Sequence, residues 1–245
     1  MAEWNDPRTT SSPFGSRGPA LNGEALGAVT MDQGLRRYML SIYNYMASGV
    51  LLSGIVALLF ANSGLAAQVM ATPLRWVIVL APLAFIFFFS PARSEGTLKT
   101  MFWSFSVVMG LSLSALLLVY TGPSIALTFF ATAGAFAGLS LYGYTTKRNL
   151  SGMGSFLVMG VIGLVIAMLL NLWLASGPLA LAISAIGVLI FAGLTAYDTQ
   201  RLRDTYYHVA GTDMMGKVVI LGALSLYLDF INMFQFLLSF LGSRD

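Results

Sequence analysis

Seven apolar stretches, at about 38–61, 74–90, 100–121, 123–145, 153–175, 178–200 and 218–241, make up most of this 245-residue chain. Most reach the roughly 20 residues that an α-helix needs to cross the hydrocarbon core of a bilayer. None shows the alternating short segments of a membrane β-barrel, so helices are the predicted elements. The second stretch is the shortest. Only 9% of the residues are charged, against roughly a quarter in an ordinary soluble domain. So few charges cannot coat a water-soluble globule, but they suit a body coated by lipid. The predicted fold class is an all-α membrane protein with seven transmembrane helices.

Residues 1–35 are rich in Gly, Ser, Pro and Thr and lack periodicity, which predicts a flexible tail ahead of a transmembrane domain over 36–245. The opening residues Met1 to Pro7 are acidic and polar with no apolar run close behind. No cleaved signal peptide is therefore expected, and the first span serves as its own insertion signal. The chain has no cysteine, which removes disulfides and thiolate metal sites from consideration.

Three connections share one chemistry: Thr72-Pro73, Thr121-Gly122-Pro123 and Ser176-Gly177-Pro178. Each puts proline at a helix start, where its missing N–H costs nothing and its fixed φ helps. The repeat predicts three helical hairpins, with the seventh helix central to them. The other connections hold the basic residues: Arg36-Arg37, Arg93 and Lys99, Lys147-Arg148, then Arg201, Arg203 and Lys217. Lys and Arg are retained on the cytoplasmic side, so the N-terminus is expected on the cytoplasmic side of the cell (inner) membrane. Seven spans then put the C-terminus outside.

Two of the ten acidic residues fall within spans, Asp198 and Asp229. Asp229 stands 12 residues beyond Lys217, about 18 Å along a helix, near mid-membrane. An ionised carboxylate there costs several kcal/mol unless it meets a partner or water, and such residues mark ion or proton paths by default. Asp198 lies near the end of the sixth span, and extension of that helix past Arg203 would bring its depth closer to that of Asp229. Ser225, Asp229 and Asn232 fall at i−4, i and i+3 and share one helix face. For Ser225 and Asn232 the favoured role is hydrogen bonding between helices. If the two aspartates meet, they should share a proton and titrate as a unit. Calcium suits their hard oxygens, which makes the pair a candidate pH sensor and metal site.

Enzyme motifs are lacking: there is no His-Glu-x-x-His, no Gly-x-Ser-x-Gly and no phosphate loop. The sole histidine, His208, is expected in the loop after the sixth span. Tyr197-Asp198 resembles the Tyr-Asp motif of presenilin-like intramembrane aspartyl proteases. Their Gly-x-Gly-Asp motif is replaced here by Leu226-Tyr227-Leu228-Asp229, and the only Pro-Ala-Leu, Pro19-Ala20-Leu21, lies in the tail. Proteolysis is therefore disfavoured, and no enzymatic activity is predicted.

The run Ala223-Leu224-Ser225-Leu226-Tyr227-Leu228-Asp229-Phe230-Ile231-Asn232 strongly resembles the seventh-span signature of the Bax inhibitor family of transmembrane proteins. Tyr197-Asp198-Thr199-Gln200 resembles its sixth-span motif, and the likeness in layout covers about residues 35–241. The resemblance implies six helices around a central seventh, as in a bacterial-type member. It also implies a pH-sensitive calcium leak regulated by an aspartate pair, which matches Asp198 and Asp229 here. An arginine at the end of the second span that latches the first aspartate is implied as well. Arg93 is the candidate by position, the alternative being a charge that only sets topology. A regulatory role toward a membrane-bound protease is the other function the resemblance implies, with the tail as a possible contact. Calcium ions, protons, lipid and a membrane protein partner are thus expected; no cofactor and no nucleic acid are expected.

Overall fold

The structure, a computed structural model, describes residues 23–243, with side-chain surroundings from Met31 onward. Eight helices account for nearly all of it. They are α1 (Gly23–Asn62), α2 (Leu65–Met70), α3 (Leu74–Ile86), α4 (Glu95–Leu117), α5 (Gly122–Thr145), α6 (Ser151–Leu174), α7 (Gly177–Val209) and α8 (Met214–Leu241). Six of them, all but α2 and α3, are long and apolar enough to cross a membrane. The chain is a multi-pass helical membrane protein.

The proline turns do what their chemistry predicts at two of three places. Thr121 caps α5 by accepting from Ser124 N–H, and Ser176 caps α7 by accepting from Leu179 N–H. Each cap satisfies one of the N–H groups that a helix start leaves without an internal partner. Pro73 opens α3 with no side-chain cap.

Three expectations need correction. First, α1 begins at Gly23, so the segment 23–35 is helical and not tail; residues 1–22 lie outside the described residues. Second, the second apolar stretch forms a helix of only 13 residues, with Pro82 inside it. At about 1.5 Å per residue it covers roughly 20 Å, short of the roughly 30 Å hydrocarbon core. Third, His208 is not in a loop. It lies in the last turn of α7, with its Nδ1 3.2 Å from the Asp204 carbonyl oxygen.

Contacts between helices give their directions. Gly49 of α1 abuts Phe102 and Ser106 of α4, whereas Gly110 abuts Ser53 and Val56; α1 and α4 therefore run parallel. The chain between them must return to its starting end, and α3 with residues 87–94 makes that return. Lys217 Nζ, at the start of α8, donates to the Pro91 carbonyl at 3.4 Å, which fixes residue 91 at the basic end of the bundle. In α7 and α8 the pairing is antiparallel: Ser184 meets Ser239 at 3.0 Å, and Asp198 meets Ser225.

The central position of the last helix is clear. α8 packs on α1, α4, α5 and α7, and more than half of its most apolar stretch is buried, against a third or less in every other long helix. Sequential hairpins are a poorer description of the rest. Of the three, only α6 and α7 pack as a close pair; α1 packs mainly on α4, and α5 mainly on α7. The pairing follows polar and small residues. Ser53 Oγ on α1 bonds Ser106 O on α4 at 2.7 Å and the Tyr227 hydroxyl on α8 at 2.6 Å. A short proline turn fixes where a chain re-enters, not which neighbour its helix face prefers. At the end opposite the basic one, Thr121 N–H donates to Ser243 O at 3.2 Å and Ser243 N–H to Ser124 Oγ at 3.0 Å. The chain's last described residues are thereby clipped to the start of α5.

Candidate proton and cation site

The site sits between α7 and α8 because both helices continue through the stretch that holds the aspartates. α7 runs unbroken to Val209 and stops where Gly211 takes φ +76°, a left-handed conformation that glycine adopts at little cost. That length carries Arg201 onto the same helix as Asp198, one turn away, where i,i+3 side chains face each other.

Asp198 is 6% exposed and Asp229 5%. Asp198 is well provided for. Its Oδ2 accepts a hydrogen bond from Ser225 Oγ of α8, and its Oδ1 lies 3.3 Å from Arg201 Nη2. The same guanidinium donates to Ser225 Oγ at 3.4 Å and lies 5.6 Å from the Tyr197 ring centroid. Ser225 is thus gripped by both halves of an ion pair on the neighbouring helix. Asp229 is the opposite case. Its Oδ2 is buried with no hydrogen-bond partner among the described residues, a condition shared only with the Tyr38 hydroxyl. The charges acting on Asp229 are those of Asp198 first and Arg201 second.

The polar face predicted on α8 divides in its roles. Ser225 belongs to Asp198, whereas Asn232 donates from Nδ2 to its own helix at Leu228 O, 2.9 Å away. Arg93 stands elsewhere in this structure. It is exposed in the connection before α4, and its Nε donates to Phe88 O at 3.0 Å. The cation beside Asp198 in this structure is Arg201. The sequence signal for it was the extension of the sixth helix past Arg203, which places Arg201 at i+3 from Asp198.

Among the described residues no three His, Cys, Asp or Glu side chains converge as metal ligands. Calcium takes six to eight oxygens in a dedicated site. Two carboxylates, one of them already ion-paired, supply fewer oxygens than that.

Around the site, α7 organises its neighbours through residues that composition alone did not single out. Gln200 Nε2 donates to Arg148 O at 2.7 Å, and Gln200 Oε1 accepts from Leu150 N–H at 2.8 Å. Arg203 Nη1 donates to Tyr144 O at 2.7 Å. Together they fasten the α5–α6 connection to α7. Gln200→Leu should therefore strand a buried amide hydrogen and a carbonyl. The expected loss is about 2–3 kcal/mol at roughly 1–3 kcal/mol per unsatisfied group, read as a lower midpoint of thermal unfolding in detergent. Gln200→Glu retains one acceptor for Leu150 N–H and should cost less.

A bundle with a buried carboxylate on each of its two last helices defines a class: a polytopic membrane protein with ionisable groups inside it. A family model described as "Inhibitor of apoptosis-promoting Bax1" matches residues 35–245, and the chain belongs to this Bax inhibitor family. It is 45% identical over 218 residues to the inner membrane protein YbhL of Escherichia coli, covering 86% of this chain and 93% of that one. It is 47% identical over 220 residues to an uncharacterised protein of Rickettsia prowazekii, covering 88% and 93%. A Caulobacter vibrioides protein, also uncharacterised, is 46% identical over 232 residues, covering 88% and 92%.

Proposed function

We propose that this protein is a pH-regulated calcium leak of the bacterial inner membrane, with calcium as its cargo and Asp198 and Asp229 as its proton-sensitive element. The observation that carries this reading is Asp229 Oδ2, a buried carboxylate oxygen on the central helix with no hydrogen-bond partner among the described residues. A carboxylate that only fastened helices together would have its oxygens bonded, as polar groups in membranes generally are. An unused hard oxygen is what a proton or a passing cation requires.

Asp198 supplies the control. In its ionised form it holds Arg201 and accepts from Ser225, and charge-assisted hydrogen bonds are roughly twice as strong as neutral ones. This grip pins α7 to α8 and disfavours passage. Protonation weakens it and shifts the population toward a separated, conducting arrangement. Orientation follows from charge: Arg36, Arg37, Lys147, Arg148, Arg203 and Lys217 cluster at the end that the positive-inside rule puts in the cytoplasm. Counting the return through α3 as a crossing gives seven spans, with the C-terminus outside. The name of the Escherichia coli relative supports the choice of membrane.

Calcium efflux from liposomes across a pH series tests the reading. Wild-type efflux should rise on acidification. Asp198→Asn should fix it near its acid level at every pH, and Asp229→Asn should lower it and flatten the profile. If both variants keep the wild-type pH dependence, the pair is not the sensor.

A further inference from the structure

On the outer face of the bundle, α1 and α5 are not among the closely packed helix pairs. A groove of about 820 Å³ lies between them, within the roughly 300–1,000 Å³ typical of small-molecule sites. Its walls are apolar, with Met39 and Met46 from α1 and Phe136 and Ala137 from α5. Its mouth at the basic end is not. There Asp32 and Arg36 stand one helical turn apart on α1, both exposed. Neither makes an ion pair or a side-chain hydrogen bond with another described residue. Tyr144 of α5 lines the groove as well, so the mouth is bordered from both helices.

An apolar slot on the lipid-facing side of a membrane protein, ending in one anion and one cation, is complementary to a zwitterionic phospholipid. We propose that the groove holds phosphatidylethanolamine from the leaflet at the basic end, the cytoplasmic one in the orientation given above. One acyl chain lies between α1 and α5, the phosphate takes Arg36, and the ammonium donates to Asp32. Arg36 suits the phosphate because its planar fork can bond two oxygens at once. Asp32 makes the choice of headgroup. A phosphatidylglycerol satisfies Arg36 but offers Asp32 only neutral hydroxyls and no cation. A choline carries the charge but has no N–H to donate.

The test is native mass spectrometry of the full chain in detergent, titrated with phosphatidylethanolamine, phosphatidylglycerol and phosphatidylcholine of identical acyl chains. Wild-type protein should retain phosphatidylethanolamine about tenfold better than the other two, the worth of one charge-assisted hydrogen bond. Asp32→Asn should bring phosphatidylethanolamine down to the level of phosphatidylcholine. Arg36→Gln should weaken all three, and Ala137→Trp should expel all three by filling the slot. Both α1 positions are exposed, so those two variants are expected to fold even if Ala137→Trp does not. Equal retention of the three lipids, preference for phosphatidylglycerol, a preference that survives both α1 substitutions, or undiminished binding to folded Ala137→Trp would overturn the proposal.

Discussion

Arg201→Gln should raise calcium efflux at alkaline pH about fivefold while leaving efflux at acid pH nearly unchanged. The guanidinium contacts both Asp198, at 3.3 Å, and Ser225, at 3.4 Å, so its removal breaks the ion pair and one of the two bonds that hold Ser225. Arg201 is half exposed, its side chain at 50%, and solvent screening limits such a pair to about 1 kcal/mol. That energy is about a fivefold change in a two-state population. The effect is confined to alkaline pH because protonated Asp198 no longer forms the ion pair. Ser225→Ala should act in the same direction, since it removes the side chain that the pair grips. Arg93→Gln should leave the profile where it was, because Arg93 bonds Phe88 O in its own connection. A series in which Arg93→Gln shifts the profile and Arg201→Gln does not would return the latch to Arg93.

The sequence made the burial of Asp229 legible because the apolar stretch 218–241 runs about a dozen residues to either side of it and leaves a carboxylate nowhere else to go. Leu224 to Met233 run through the middle of α8, and that helix proved the most enclosed. The partner of Asp198 was harder to read. Basic residues after a span look like topology signals, and Arg201 acquires its second role only once α7 is known to continue to Val209. Ser225 was placed correctly on one face with Asp229, yet face membership does not say which neighbouring helix that face meets. The identity of the neighbour is a tertiary property, set here by the antiparallel crossing of α7 and α8. The same limit applies to the hairpins: proline turns recur along the chain, whereas packing pairs α1 with α4 and α5 with α7. Arg93 was assigned by its place in the chain, whereas the cation that stands beside Asp198 is Arg201.

Gly143→Ala should lower stability by about 1 kcal/mol and disturb the pH profile, whereas Gly138→Ala should do neither. A Cβ at Gly143 of α5 would stand 2.2 Å from Ala196 O, 2.9 Å from its carbonyl carbon and 3.0 Å from its Cα. These are backbone atoms of α7, so no rotamer change can relieve the contact and the two helices must move apart. Overpacking of this kind costs about 1–3 kcal/mol. The intrinsic preference of helices for alanine, about 1 kcal/mol over glycine, offsets part of it. At Gly138, on the same helix, an added Cβ meets nothing within 4 Å, so that preference acts alone and the variant should be as stable as wild type or slightly more so. The functional consequence comes from register. Ala196 precedes Asp198 by two residues, and Thr199 Oγ1 reaches Ser140 Oγ of α5 at 3.3 Å, so a displaced α5 takes the support from behind the carboxylate. Thermal unfolding in detergent and efflux across pH, measured on both variants, separate the two consequences. Equal midpoints for Gly143→Ala and Gly138→Ala would mean that the α5–α7 approach is not what holds Asp198 in place.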